Sequence, residues 1–214
     1  MLWSICASAG AYEDFFTAIK FDDAPRLRGL LIRGFDPNTL SEDGTSGLVY
    51  AMQQESPAAF AVLLTSPAIN PNVVDAKGDT PLMVASAKGQ LEAVQSLIKR
   101  GADLGKEGAW TALHYAASAG SVPVIQALVA AGAPVDIRSE NATTPLMMAA
   151  RAGREEAVRK LLQLGADPAL VNEAGFNAAG YALRAKKKEL AFEIMRKERA
   201  IRLNRSRSSG ANNQ

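Results

Sequence analysis

The sequence predicts an all-α solenoid of about six stacked helix pairs, joined by β-turn or hairpin loops, with degenerate caps at both ends. A Thr-x-Leu segment recurs at Thr80, Thr111 and Thr144, in steps of 31 and 33 residues. Each copy is followed by a second apolar segment that ends in Gly-Ala. A period in the low thirties with two short helices per unit is typical of a stacked repeat array, whose units contact only their neighbours.

The first two units, residues 11–42 and 43–74, match the repeat only weakly. Phe15 opens an apolar segment that, with the apolar run fifteen residues further on, indicates an N-terminal capping pair. In the next unit Glu55 stands where the clear units have a helix-ending glycine. Residues 66–70 replace the Gly-Ala-Asp segment, so we expect the turn of this unit to differ from the others.

Three clear units follow, at residues 75–106, 107–138 and 139–172. In each, a threonine at the N-cap position can satisfy a free backbone N–H of the first helix, and two of the three threonines precede a proline, which favours the first helical position. Small residues follow in mid-helix and permit close packing of neighbouring helices. A glycine ends each first helix, because glycine adopts the left-handed conformation most easily. These glycines are Gly89, Gly120 and Gly153.

The second helix of each clear unit has an apolar stripe at positions i, i+3 and i+4, which predicts one buried face. The first of these stripes is Val94, Leu97 and Ile98. Helices of about ten residues are too short to persist alone, so each must bury its apolar face against its neighbours. The predicted core includes Leu113, Leu128, Leu146 and Leu161.

The last unit, residues 173–200, reads as a C-terminal cap in which Asn177 is the helix N-cap. The repeat domain is thus predicted to span residues 11–200. Past Ile201 the chain consists mostly of Arg, Ser, Asn and Gly, a composition that predicts a disordered polar tail over residues 201–214.

The Thr-Pro-Leu, Ala-Ala, glycine and Gly-Ala-Asp elements, at these offsets, resemble the ankyrin repeat family, closely over about residues 75–172. The resemblance implies a non-catalytic protein–protein interaction module that binds through a concave groove and the turn tips beside it. We expect the chain to be a monomer. It also implies that His114, in the Thr-x-Leu-His position, is a structural imidazole bonded to nearby loop backbone.

The sequence offers no candidates for catalysis, and no cofactor or metal site is expected. His114 is the only histidine and Cys6 the only cysteine, so neither has a second His or Cys with which to share a metal ion. Five aspartates of the repeats fall at turn positions, where Asp bonds to its own backbone or caps a helix: Asp75, Asp79, Asp103, Asp136 and Asp167. Phosphate-binding, nucleophile-elbow and zinc-protease motifs are absent from the sequence.

Candidate partner-binding residues lie on and beside the turns. Asp79, Trp110, Thr143 and Phe176 occupy the equivalent position before each N-cap, and the two aromatic residues are plausible anchors because aromatics dominate interface hot spots. Alternatively, these two rings fold back and shield the neighbouring turn. The same surface is expected to carry side chains of mixed charge, which favours a protein partner. These residues are Lys77, Lys88, Glu107, Glu140, Asn141, Arg151 and Glu173.

Charge is distributed unevenly along the chain. The net charge of +2 hides a segment at residues 184–207 with ten Lys or Arg and three Glu, so the rest of the chain is acidic. This basic segment suggests an alternative function, a regulator of a partner enzyme that docks on a membrane surface or nucleic acid. Its cations alternate with Glu and apolar residues without aromatics that could stack on bases, which disfavours nucleic acid.

The N-terminus suggests export. Residues 1–9, ending in Ala7-Ser8-Ala9, resemble the end of a signal peptide with its cleavage site, although a basic start and most of an apolar core are missing. We therefore hypothesise a bacterial protein exported to the periplasm, whose signal peptide begins further upstream. The alternative is a cytoplasmic protein with an ordinary N-terminus. No apolar run approaches the roughly 18 residues that span a bilayer, which indicates a soluble chain.

Overall fold

The computed structural model describes the backbone of residues 2–211 and the side chains of residues 10–204. Within these limits the chain forms twelve helices and no strand, so the predicted all-α class is confirmed. The helices are α1 (Leu2–Lys20), α2 (Ala24–Ile32), α3 (Gly47–Gln53), α4 (Pro57–Thr65), α5 (Pro81–Lys88), α6 (Leu91–Lys99), α7 (Ala112–Ala119), α8 (Val122–Ala130), α9 (Pro145–Arg151), α10 (Glu155–Gln163), α11 (Ala178–Arg184) and α12 (Lys188–Ala211).

The first helices of the clear units begin at the predicted threonines. The Thr80 hydroxyl accepts a hydrogen bond from the Met83 N–H at 3.3 Å, and the Thr144 hydroxyl accepts one from the Met147 N–H at 3.4 Å. Thr111 occupies the N-cap position of α7 in an extended conformation, as Thr144 does at the start of α9. Because the first N–H groups of a helix have no acceptor within it, each bonded hydroxyl satisfies one of them.

The chain divides into two compact units. One unit extends to Ala85 and includes Glu92–Asp103, and the other comprises Ser86–Leu91 and the chain from Leu104 onward. In the first unit Phe15 is fully buried, and its ring stacks on that of Phe35 with the centroids 4.7 Å apart. The predicted N-terminal capping pair therefore covers the end of this unit with aromatic side chains.

The second unit is a row of helix pairs. The first helices α7, α9 and α11 lie next to one another in that order, and each contacts the second helix of its own pair, α8, α10 or α12. The predicted core is confirmed here, because the side chains of four leucines have no exposed surface. They are Leu113, Leu128, Leu146 and Leu161.

In several pairs, a side chain in the loop after the second helix accepts a hydrogen bond from a backbone N–H in the corresponding loop of the next pair. In the second unit the Asp136 carboxylate accepts a hydrogen bond from the Asp167 N–H at 3.0 Å. In the first unit the Asn72 side-chain oxygen accepts from the Asp103 N–H at 2.8 Å. These bonds satisfy loop N–H groups that the helices leave free, and they set the spacing between pairs.

The weak unit at residues 43–74 differs from the others at the predicted turn. The C-cap of α4, Ser66, is extended, with φ −64° and ψ 128°. The C-caps of α8 and α10 are helical instead, and each is followed by a left-handed glycine such as Gly132 at φ 104°. Glu55, in contrast, adopts the left-handed conformation of the glycine it replaces, with φ 56°. The fold imposes this geometry on a residue that disfavours it.

Helical structure extends beyond the predicted repeat domain, residues 11–200, at both ends of the described chain. Helix α12 runs to Ala211, whereas the sequence predicted a disordered tail from residue 201. An ion pair between Arg202 and Glu198, one helical turn apart at 2.7 Å, supports this extension. The side chains of the signal-like residues 1–9 lie outside the described residues. No helix in the part of the chain with a described structure is both long enough and apolar enough to cross a bilayer.

Candidate functional site

The turns that lead into α9 and α11 are closed by hydrogen bonds between their ends. The Ser139 N–H donates to the Thr143 carbonyl and the Asn172 N–H donates to the Phe176 carbonyl, each at 3.0 Å. In return, the side-chain oxygens of Ser139 and Asn172 accept from the N–H groups of Thr143 and Phe176, at 3.2 and 3.0 Å. The position before each N-cap is therefore held in a defined geometry.

Neighbouring turns of the second unit are also bonded to one another. The Gly108 N–H donates to the Arg138 carbonyl at 2.8 Å, and the Glu173 N–H donates to the Asn141 carbonyl at 3.1 Å. The Glu107 carboxylate accepts from the Arg138 N–H at 3.1 Å. These bonds organise the tips before any partner arrives, which reduces the entropic cost of binding.

His114 is a structural residue, as the resemblance implied. Its ring is fully buried, and Nε2 lies 2.9 Å from the carbonyl oxygen of Thr143, which can only accept, so Nε2 carries the hydrogen. Nδ1 then accepts from the Thr111 N–H at 3.2 Å and lies 3.0 Å from the Thr111 hydroxyl. The neutral imidazole thus joins the start of α7 to the turn of the next pair.

Burial lowers the pKa of His114 below its ordinary value of 6.5, and this effect outweighs the bond to Thr143, which favours the charged ring. In the unfolded chain the same histidine titrates near its ordinary value. Below that pH the unfolded state therefore binds more protons than the folded state. The contribution of His114 to stability is complete above about pH 6.5 and is lost progressively as the pH falls.

We predict that His114→Met removes this acid sensitivity. Methionine is the matched replacement because Met83 and Met147 occupy the equivalent positions, where each sulfur lies 3.5 Å from the N-cap N–H. In urea unfolding over a pH series, the wild type should lose up to about 1.4 kcal/mol per pH unit below about pH 6.5, relative to the variant. Burial raises the pKa of Asp136, but that carboxyl is present in both proteins and its effect cancels.

Parallel pH–stability curves for the two proteins would contradict the assignment of a neutral, buried His114.

The two predicted aromatic anchors are half-buried and pack mainly on their own helix pair. The Trp110 ring meets the His114 ring edge to face, with the centroids 5.2 Å apart. The Phe176 ring lies 5.7 Å from that of Tyr181, and the Arg184 guanidinium carbon lies 4.9 Å from its centroid. Each ring is therefore partly covered by residues of its own helix pair and partly exposed.

The predicted polar residues fall into two groups. Lys77 and Asp79 belong to the first unit, Lys77 exposed and Asp79 half-buried. The other six belong to the second unit and are all exposed: Lys88, Glu107, Glu140, Asn141, Arg151 and Glu173. In addition, the Asn141 side-chain oxygen accepts from the Ser139 hydroxyl at 2.8 Å, so it stabilises its own turn.

Thr143 is the exception among the predicted contact residues, and that prediction is wrong. Its side chain is only 3% exposed, and its hydroxyl lies 3.5 Å from the Asn172 amide nitrogen. The His114 ring bonds to its carbonyl, which draws the residue into the space between turns. Position in the repeat does not by itself show which side chain points outward, because a small polar residue fits inside where Trp110 does not.

The structure adds three residues that the sequence analysis missed. Tyr181 and Arg184 line an open cavity of about 460 Å³ together with Arg151, Ala174, Phe176 and Ala185. Asn172, which is 6% exposed, donates from its amide to the Tyr181 hydroxyl at 2.8 Å. The repeat could have shown that the two arginines are equivalent, because Arg151 and Arg184 each stand seven residues after the N-cap of their helix, Thr144 and Asn177.

Among the residues with described side chains, no three His, Cys, Asp or Glu side chains are grouped in a way that could hold a metal ion. The residues that line the cavity instead carry guanidinium, phenol and phenyl groups, which suit recognition of another molecule.

Comparison with known proteins agrees with this architecture. The family model described as ankyrin repeats (3 copies) matches residues 15–108 and 103–172. A solved ankyrin repeat domain from Acinetobacter baumannii AYE superposes with a TM-score of 0.75 at 25% identity, covering 86% of this chain and 96% of that one. The predicted ankyrin-type all-α solenoid is thereby confirmed.

Curated relatives share the repeats within much longer proteins. The rat ankyrin repeat and SAM domain-containing protein 6 is 39% identical over 71 residues, which are 32% of this chain and 8% of that protein. The Drosophila melanogaster E3 ubiquitin-protein ligase Ufd4 is 34% identical over 101 residues, 47% of this chain and 4% of the relative. This chain thus corresponds to a small part of each.

Ankyrin repeats are generally protein–protein interaction modules, and their fold is typically a non-catalytic scaffold. The family model covers well over half of the sequence, including every clear unit. The chain belongs to the ankyrin repeat family.

Proposed function

We propose that this protein binds a partner protein without catalysing a reaction, through the turn tips and the exposed surface of the first helices in its second unit. The observation that carries the proposal is the set of hydrogen-bonded turns that present the half-exposed rings of Trp110 and Phe176. Supported aromatic side chains lose little conformational freedom on binding and dominate interface hot spots. A specific interface requires roughly 800 Å² per partner, which several adjacent turns and helices can supply.

The test is affinity capture from an extract of the source organism with immobilised protein, followed by mass spectrometry. We expect the double variant Trp110→Ala, Phe176→Ala to lose the partners that the wild type retains. The matched control is Phe192→Ala, Leu203→Ala, which removes two apolar side chains that are 60% and 51% exposed on α12. Circular dichroism checks that both variants fold.

Recovery of the same partners by the aromatic variant would refute the proposal. Loss of the partners on deletion of residues 199–214, with the aromatic residues intact, would favour the basic C-terminal segment instead.

A second candidate function is docking of α12 on a membrane surface. Phe192 and Met195 are exposed on this helix, beside the exposed cations Arg196 and Lys197. Apolar side chains next to cations are characteristic of helices that bind anionic lipid. Co-sedimentation with phosphatidylserine vesicles, reduced by Phe192→Ala, would support this function, and no sedimentation would exclude it.

The exported location also stays a proposal. It is supported by the Ala7-Ser8-Ala9 segment, and mass spectrometry of the mature N-terminus tests it. A mature protein that begins near Gly10 would support export, and one that retains Met1 would contradict it.

A further inference from the structure

Two arginines are brought together at one face of the second unit. Arg151 ends α9 and Arg184 ends α11, and these helices are in contact. Each arginine stands seven residues after the N-cap of its helix, so the repeat places the two side chains at equivalent positions in adjacent pairs. Both line the cavity of about 460 Å³ described above, here named the arginine cavity.

The charge of these arginines is not compensated within the described part of the chain. Arg159 and Arg202 each pair with a glutamate, at 3.0 and 2.7 Å, whereas neither Arg151 nor Arg184 forms such a pair. The residues that line the arginine cavity include no Asp or Glu. Two like charges at one cavity repel each other, and an anion bound between them relieves that repulsion.

The aromatic residues of the cavity arrange its hydrogen-bond donors. The Phe176 ring lies 4.9 Å from the Arg184 guanidinium carbon, and this contact to the ring leaves the N–H edges of the guanidinium free to donate. The Tyr181 oxygen already accepts from the Asn172 amide at 2.8 Å, so its hydroxyl hydrogen is directed elsewhere. The cavity thus presents two guanidinium groups and a phenol O–H, all of which are donors.

We propose that the arginine cavity binds a carboxylate in an acidic segment of the protein partner, with Arg151 and Arg184 as the charged donors and Tyr181 as a third donor. The assignment rests on the proposed function and specifies the chemistry of the partner. A guanidinium matches a carboxylate in geometry and can bind it through two parallel hydrogen bonds. The cavity is lined by only two cations, which match one carboxylate, whereas a nucleic-acid backbone is bound through a longer run of positive charge.

The test is fluorescence anisotropy with the full chain and a labelled peptide of four consecutive glutamates flanked by glycines. A peptide with four glutamines in place of the glutamates controls for charge. We expect the glutamate peptide to bind, and Arg151→Gln with Arg184→Gln to weaken its binding by about tenfold or more. The matched control is Arg28→Gln with Arg33→Gln, which removes the same charge from exposed positions in the first unit and should change binding by about twofold at most.

A further variant tests geometry as well as charge. Arg151→Lys with Arg184→Lys retains both charges but removes the planar fork, and we expect its affinity to fall between those of the wild type and the glutamine variant. Unfolding curves of all variants, compared with the wild type, show that the loss of binding does not reflect loss of the fold.

Several outcomes would overturn the proposal: equal binding of the glutamate and glutamine peptides, equal losses for the two arginine-to-glutamine variants, or tighter binding of single-stranded oligo-dT than of the glutamate peptide. If the peptide fails to bind while the wild type still captures partners that the Trp110 and Phe176 variant loses, only the arginine cavity assignment fails. If neither peptide nor partner binds, the proposed function fails with it.

Discussion

Truncation of Leu146 to alanine is expected to destabilise the protein by about 2–5 kcal/mol. Leu146 lies on α9, which contacts α7 on one side and α11 on the other, and its side chain has no exposed surface. Removing three buried carbon atoms loses their transfer free energy, and it leaves a cavity that the two neighbouring helices can fill only partly. The effect should appear as a lower urea midpoint in circular dichroism.

Leu183→Ala is the matched control for this prediction. Leu183 lies on the neighbouring helix α11 but is 44% exposed, so the same chemical change should alter the free energy of unfolding by only about 0.5 kcal/mol. If the two variants unfold at the same urea concentration, the stacked core of the second unit is not as described.

Replacement of Gly105 with alanine is expected to be nearly as damaging, by about 2–4 kcal/mol. Gly105 has φ 106°, and a Cβ built there would lie 2.5 Å from Cγ2 of Thr111 and 2.7 Å from its Cβ. Thr111 cannot move aside easily, because it is fully buried and its hydroxyl lies 3.0 Å from Nδ1 of His114. The added methyl group therefore strains the local backbone and crowds the start of α7.

The variant Gly108→Ala separates the cost of backbone strain from the cost of the close contact with Thr111. Gly108 belongs to the same turn and has a similar left-handed conformation, φ 82°, but a Cβ there would meet no atom within 4 Å. It should cost only the backbone strain, about 1 kcal/mol, in the same unfolding measurement. Equal costs for the two variants would show that the close approach to Thr111 has no energetic consequence.

Much of the helical frame follows from local sequence. Thr80 and Thr144 begin their helices because a hydroxyl at that position satisfies a free N–H of its own helix, and this chemistry involves only the next three residues. The buried leucines were predictable for a similar reason, since a helical period of 3.6 residues assigns them to one face.

The candidate site was predictable only in part. The repeat placed Trp110 and Phe176 at equivalent positions before an N-cap, and both rings are half-exposed there. Thr143 was assigned to the surface on the same argument, but the ring of His114, 29 residues earlier in the chain, bonds to its carbonyl and holds it inside. The family resemblance implied that His114 bonds to loop backbone, but it did not identify the carbonyl of Thr143 as the acceptor.

The sequence by itself determined where the helices of the clear units begin, their caps and their apolar faces, because each depends on residues within a few positions of one another. Only the tertiary structure decided which polar side chains support the turns and which remain free, and that Arg151 and Arg184 share a cavity with Phe176 and Tyr181. The physical reason is that burial and charge compensation depend on neighbours contributed by adjacent pairs. Glu55 illustrates the same point, since the fold holds it at a positive φ that its own preference disfavours.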